Sequence, residues 1–121
     1  MAEMIPRYNE AAIIRDLTRK MVFIAGSRQV GKTTLAKKLI KKAGLPVEPW
    51  YLNWDVSADR EQIIKENFPA GNGLLALDEI HKYSRWRQVL KGLYDKRGET
   101  LQILVTGSAK LDHYRHGGDS L

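Results

Sequence analysis

Cysteine is absent from this 121-residue chain, which excludes disulfides and thiolate metal sites. The absence is compatible with a reducing compartment, and a cytoplasmic location is expected. Long apolar runs are missing as well. None approaches the ~20 residues that a membrane-crossing helix needs, so no membrane partner is expected. The amino-terminal stretch lacks the basic-then-apolar order of a secretory signal. No repeat or low-complexity segment breaks the chain. The 3 histidines do not stand at ligand spacing, and His81 and His113 read as surface residues.

What remains is ordinary for a single domain with a real core: 43% hydrophobic and 28% charged residues. The net charge is +6 and the isoelectric point is near 9.7. A basic balance fits either an acidic partner such as nucleic acid or a solvated basic face beside a site for an anionic ligand. No nucleic-acid motif accompanies the charge, and the solvated face is the favoured reading.

Residues 26 to 33 read Gly26-Ser27-Arg28-Gln29-Val30-Gly31-Lys32-Thr33, a match to the phosphate-binding pattern G-x-x-x-x-G-K-[ST]. Gly26 and Gly31 permit backbone conformations that point successive N–H groups at phosphate oxygens. In this pattern Lys32 sets a positive charge on the β and γ phosphates, and the Thr33 hydroxyl ligates Mg²⁺. A helix follows from Thr33-Thr34 to Ala43, and its N-terminus favours the same anion. A motif this short also arises as a coincidental turn, so its flanks matter. Met21 to Ala25 is an apolar run that reads as a strand buried on both faces. Leu35, Ala36, Leu39, Ile40 and Ala43 share one helix face, Lys37, Lys38, Lys41 and Lys42 take the other, and Gly44 with Pro46 stops the helix.

Elsewhere the elements alternate. Asn9 can cap a first helix carrying Ala12, Ile13 and Leu17. Trp50 to Trp54 reads as an aromatic-rich strand after the Pro46–Pro49 bend. Ser57 is the expected cap of a helix through Asn67 with Ile63 and Ile64 inward. A Gly71-Asn72-Gly73 turn leads to a buried strand, Leu74 to Leu77, that ends in Asp78-Glu79. Ser84 is the expected cap of a helix with Trp86, Val89, Leu90, Leu93 and Tyr94 on its apolar face, closed by Gly98. Leu101 to Val105 is a further strand ending in Thr106-Gly107-Ser108, with Gly107 easing a turn. The alternation predicts a parallel sheet with helices on both faces, and ligands bind beyond the carboxyl ends of such strands.

Aliphatic residues followed by Asp-Glu form a Walker B pattern with a second acid. Asp78 is the candidate Mg²⁺ ligand, through water, and Glu79 the group that orients or deprotonates an attacking water. Two solvated acids at a strand end are the bland alternative. Ser108, or less favourably Thr106, can sense the γ-phosphate, although Thr-Gly-Ser is also plain turn chemistry. The aromatic rings of Trp50, Tyr51 and Trp54 can stack on a base, but core or interface packing is the favoured reading.

The ordered set of segments resembles an AAA-type P-loop ATPase, in particular a prokaryotic branch. The segments are Gly26 to Thr34 at the loop, Leu77-Asp78-Glu79-Ile80-His81-Lys82 at the acidic strand, Val105 to Ala109 at the sensor strand, the Trp86 helix, and the tail from His113 to Leu121. The resemblance implies a three-layer α/β/α P-loop NTPase sandwich. It also implies ATP or ADP with Mg²⁺, with Lys32 and Thr33 on phosphate and metal, Asp78 on metal, Glu79 as base and Ser108 as sensor. It implies one AAA-type nucleotide-binding core over residues 1–121, with residues 1–20 as a leading segment and helix and 109–121 as a polar tail. Relatives of that branch continue into a fifth strand, a helical lid and a nuclease-like domain, so the chain is expected to be the amino-terminal part, with the arginine finger elsewhere and little activity by itself. Their strand order, 5-1-4-3-2, would leave the Met21–Ala25 strand as an edge open to self-association. ATP hydrolysis driving a conformational change is the function implied. A nucleotide switch without turnover, a small kinase and a DNA-associated ATPase are the alternatives.

Overall fold

The computed structural model describes residues 10–26 and 31–108. Asn9, the 1–8 segment, the loop residues Ser27, Arg28, Gln29 and Val30, and the 109–121 tail lie outside the described residues. Helix α1 (Glu10–Leu17) buries Ile13 and Leu17, one turn apart on a single face. Strand β1 (Val22–Ala25) follows, then helix α2 (Lys32–Lys42). Ala36, Leu39 and Ile40 are buried along α2, whereas Lys37, Lys38, Lys41 and Lys42 are exposed. Ala43, expected on the apolar face, falls at the cap and is exposed, because the helix ends there at Gly44. Lys38 and Lys42 both approach Glu10 of α1, at 3.4 and 3.5 Å. Part of the basic face is thus spent within the chain.

A short helical turn, α3 (Val47–Trp50), delivers Trp50 into the core before strand β2 (Tyr51–Asn53). The expected strand of Trp50 to Trp54 is therefore trimmed at both ends. A Cβ added to Gly73 would stand 2.4 Å from the Trp50 ring, so only glycine lets the indole lie against strand β3 (Gly73–Asp78). Gly73 is thus a strand residue rather than part of the turn expected there.

Helix α4 (Ser57–Ile64) is shorter than expected, and Ser57 is its first residue rather than its cap. Ile63 is fully buried while Ile64 is 51% exposed. Neighbouring helical residues point about 100° apart, so both could not face one narrow contact. Helix α5 (Trp86–Arg97) is likewise not capped by Ser84. Arg85 holds that position, and the Tyr83 carbonyl accepts from the Trp86 N–H at 3.1 Å. Trp86, Val89, Leu90 and Leu93 are buried, but Tyr94 is partly exposed and donates its hydroxyl to the Arg19 carbonyl.

Strand β4 (Leu101–Gly107) runs two residues further than expected, so Thr106 and Gly107 belong to the sheet and Gly107 makes no turn. The 4-stranded sheet has the order β1-β4-β3-β2, and every pairing is parallel. Leu74 to Asp78 are all buried in succession. Alternate residues of a strand face opposite sides, so helices must cover both faces of the sheet. That is the P-loop NTPase-like α/β/α arrangement. β1 differs from the strand buried on both faces that its apolar run suggested. Only Ile24 is buried, because β1 stands at the sheet edge and pairs with β4 alone among the described residues.

Candidate functional site

Parallel pairing brings all strand carboxyl ends to one side of the molecule, and the polar residues gather there. The Gly26 N–H donates to the Gly107 carbonyl at 3.2 Å, extending the β1–β4 ladder to the mouth of the loop. At the other end of the loop Gly31 has φ +75°, a left-handed conformation that costs glycine little. Lys32 opens α2 and is only 4% exposed. Its ammonium folds back and donates to the Gly26 carbonyl at 2.8 Å. The loop ends are thereby tied together by the side chain expected to hold phosphate.

Asp78, at the end of β3, is the hub of the site. Its Oδ2 accepts from the Thr33 hydroxyl at 2.9 Å and from the Tyr51 hydroxyl, and its Oδ1 accepts from the Thr106 hydroxyl at 2.9 Å. The Asn53 amide in turn donates to the Tyr51 oxygen at 3.4 Å. Asp78 is 3% exposed, and this ring of donors is what makes a carboxylate tolerable there. The Tyr51 pKa is raised well above 10.0, first by burial and then by Asp78, so its proton stays on the phenol and the donor role is settled. Thr106, the less favoured sensor, is fully buried with its hydroxyl committed to Asp78.

Glu79 follows in a left-handed conformation, φ 60° and ψ 22°, which costs a non-glycine residue about 1 kcal/mol or more. Its N–H still donates to the Thr106 carbonyl at 2.8 Å. The turn throws its side chain off the strand direction. Oε1 comes within 3.6 Å of His81 Nε2 and 3.7 Å of Lys82 Nζ, and accepts no hydrogen bond among the described residues. Lys82 is held mainly by Asp55, at 3.0 Å to both carboxylate oxygens, and that bond raises its pKa. Trp54 does not offer a free face for a base: Tyr83 stacks on it at 4.5 Å, and the Arg60 guanidinium lies 5.0 Å from its ring centre.

His81, expected on the surface, is 6% exposed. It sits in the 3-10 turn Ile80–Lys82, which tucks beneath the end of β4. Burial lowers its pKa below 6.5, outweighing the opposing pull of Glu79, so the ring is neutral at pH 7. Its Nε2 lies 3.3 Å from the Ser108 hydroxyl.

A cavity of about 300 Å³ joins these groups, with Gly31, Lys32, Thr33 and Thr34 on one wall and Asn53, Asp55, Asp78 and Glu79 on the other. Ser108 does not line it. Tyr51, Asn53 and Asp55 carry no motif that marks them as part of the site, and His81 lies in the acidic-strand segment but reads there as a surface residue. Only their alternation along a strand or turn hints at direction, and that does not say what they meet.

A family model described as AAA domain matches residues 18–121. No curated protein and no solved structure matches the chain.

Proposed function

Because the chain belongs to the AAA domain family, we propose that the cavity beside α2 binds ATP or ADP with Mg²⁺, and that in the whole protein ATP hydrolysis drives a conformational change. The observation that carries this reading is the Thr33 hydroxyl on the Asp78 carboxylate at 2.9 Å, beside a buried Lys32 at a helix N-terminus.

Family membership supports nucleotide binding in general; the residue roles are our proposal. The backbone from Gly26 through Ser27, Arg28, Gln29 and Val30 to Gly31 would wrap the phosphates, with Thr34 beside them. Lys32 would exchange the Gly26 carbonyl for a β or γ oxygen. The donor set fits Mg²⁺: a hydroxyl and a carboxylate oxygen, Thr33 and Asp78, face a polar cavity. Among the described residues no group of three or more His, Cys, Asp or Glu is placed to cage a metal. Mg²⁺ suits such a sparse site, because it keeps several waters and takes phosphate oxygens. When bound, it would offset charge on the β and γ phosphates.

Glu79 is the proposed general base. Its carboxylate would take a proton from water as the water oxygen bonds to the γ-phosphorus and the bond to the ADP oxygen breaks. Ser108, outside the lining of the cavity and linked to its Glu79 wall through His81, is the proposed sensor of the γ-phosphate.

Calorimetric titration of ATP, ADP and GTP, with and without Mg²⁺, tests the site. We expect Mg²⁺-dependent binding that Lys32→Ala weakens at least about tenfold, or ~1.4 kcal/mol. Undiminished affinity in that variant overturns the assignment. Binding without phosphate release would favour a nucleotide switch instead.

A further inference from the structure

His81 is a buried side chain outside the lining of the cavity, and it stands between the two groups assigned to the γ-phosphate side. Its Nε2 is 3.3 Å from Ser108 Oγ and 3.6 Å from Glu79 Oε1. The first distance is within hydrogen-bond reach and the second is just beyond it. A neutral ring offers at Nε2 either one lone pair or one hydrogen, so it serves one neighbour well at a time. Ser108, with a rotatable hydroxyl, can accept from Nε2 or donate to it. Glu79, as a carboxylate, can only accept.

We propose that His81 is a positioning residue whose Nε2 exchanges between Ser108 and Glu79, so that a γ-phosphate engaging the Ser108 hydroxyl re-aims the Glu79 carboxylate. This rests on the nucleotide reading above. In the structure Nε2 is with Ser108, and Glu79 Oε1 accepts no hydrogen bond among the described residues. When Ser108 turns to a phosphate oxygen, the Ser108–Nε2 contact is lost. As the Nε2–H tautomer it then donates to Glu79 Oε1, a move of a few tenths of an ångström. The left-handed backbone at Glu79 and the short turn that follows hold the residues close enough for this. The carboxylate would be held for water only when the γ-phosphate is present. ADP, which has none, would leave Nε2 on Ser108.

The full chain is tested by imidazole ¹⁵N shifts of His81 with ADP and with a slowly hydrolysed ATP analogue, and by turnover of His81→Phe and His81→Gln. We expect the Nε2 shift to differ between the two nucleotides. We also expect kcat to fall at least about tenfold in His81→Phe with KM within about twofold, and His81→Gln, whose amide can still donate, to recover part of the loss. Identical His81 shifts in the two complexes overturn the proposal. So does wild-type turnover in His81→Phe, or a loss in His81→Gln equal to that in His81→Phe. Absence of nucleotide binding in the unmodified chain overturns the underlying reading and this one with it, and is told apart by the titration itself. If nucleotide binds without turnover, the shifts alone decide.

Discussion

Tyr51, the first residue of β2, donates its hydroxyl to the carboxylate of Asp78 on the neighbouring strand β3. Both side chains are buried, and the same carboxylate oxygen accepts from Thr33 of α2. The core aromatic of one strand therefore sets the position of the acid that ends the next. This ties the packing of the sheet to the geometry of the site.

Replacing Tyr51 by Phe keeps the ring in the core and removes the donor. A hydrogen bond to a charged group contributes about 1.5–3 kcal/mol, and Asp78 would retain Thr33 and Thr106. The expected loss lies toward the lower end of that range, measured by urea unfolding. A variant as stable as the wild type would show that Asp78 needs only the two threonine donors.

Glu79→Gln keeps the size of the side chain and removes its basicity. If Glu79 is the general base, phosphate release should fall by about 100-fold or more. Nucleotide affinity should stay within about twofold, because the loss is confined to the transition state. Equal release rates in the two proteins would remove Glu79 from the chemistry.

Acid should weaken the fold through His81. Burial holds its folded pKa below the unfolded value of 6.5, so below that pH the unfolded chain binds a proton that the folded chain refuses. The contribution is complete above 6.5 and is lost as pH falls from there toward the folded value. Urea unfolding at about pH 7.5 and about pH 5.5 should show a steeper loss for the wild type than for His81→Gln. Parallel losses would mean that His81 titrates alike in both states.

Two adjacent isoleucines give a direct test of how α4 packs. Ile63 is fully buried and Ile64 is 51% exposed. Ile63→Ala should cost about 2–5 kcal/mol, and Ile64→Ala about 0.5 kcal/mol or less. Comparable costs in chemical denaturation would place both side chains in the core.

The middle of the loop pattern lies outside the described residues, but the helix after it, Lys32–Lys42, was legible because the signal is local. Glycine spacing, a following Lys-Thr pair and a 3.6-residue apolar repeat depend only on neighbours along the chain. The buried strand at Leu74 to Leu77 was equally plain. Ser57 and Ser84 do not hold the cap positions expected of them, for a physical reason. A serine is favoured as a cap, but backbone carbonyls can meet the same N–H groups, as Tyr83 does for Trp86. His81 was misread as exposed because a polar residue in a turn is usually solvated, and only the end of β4 above it decides otherwise.

By itself the sequence determined the alternation of strands and helices, most of the residues they bury and the presence of a phosphate-loop pattern followed by a paired acid at a later strand end. Each follows from covalent spacing and side-chain polarity. Only the tertiary structure decided that Thr33, Tyr51 and Thr106 meet on Asp78, and that His81 stands between Ser108 and Glu79. These residues come from different elements, and their meeting depends on strand order and register. Which side chains share a carboxylate is set by how the elements pack, a distance that no spacing along the chain encodes.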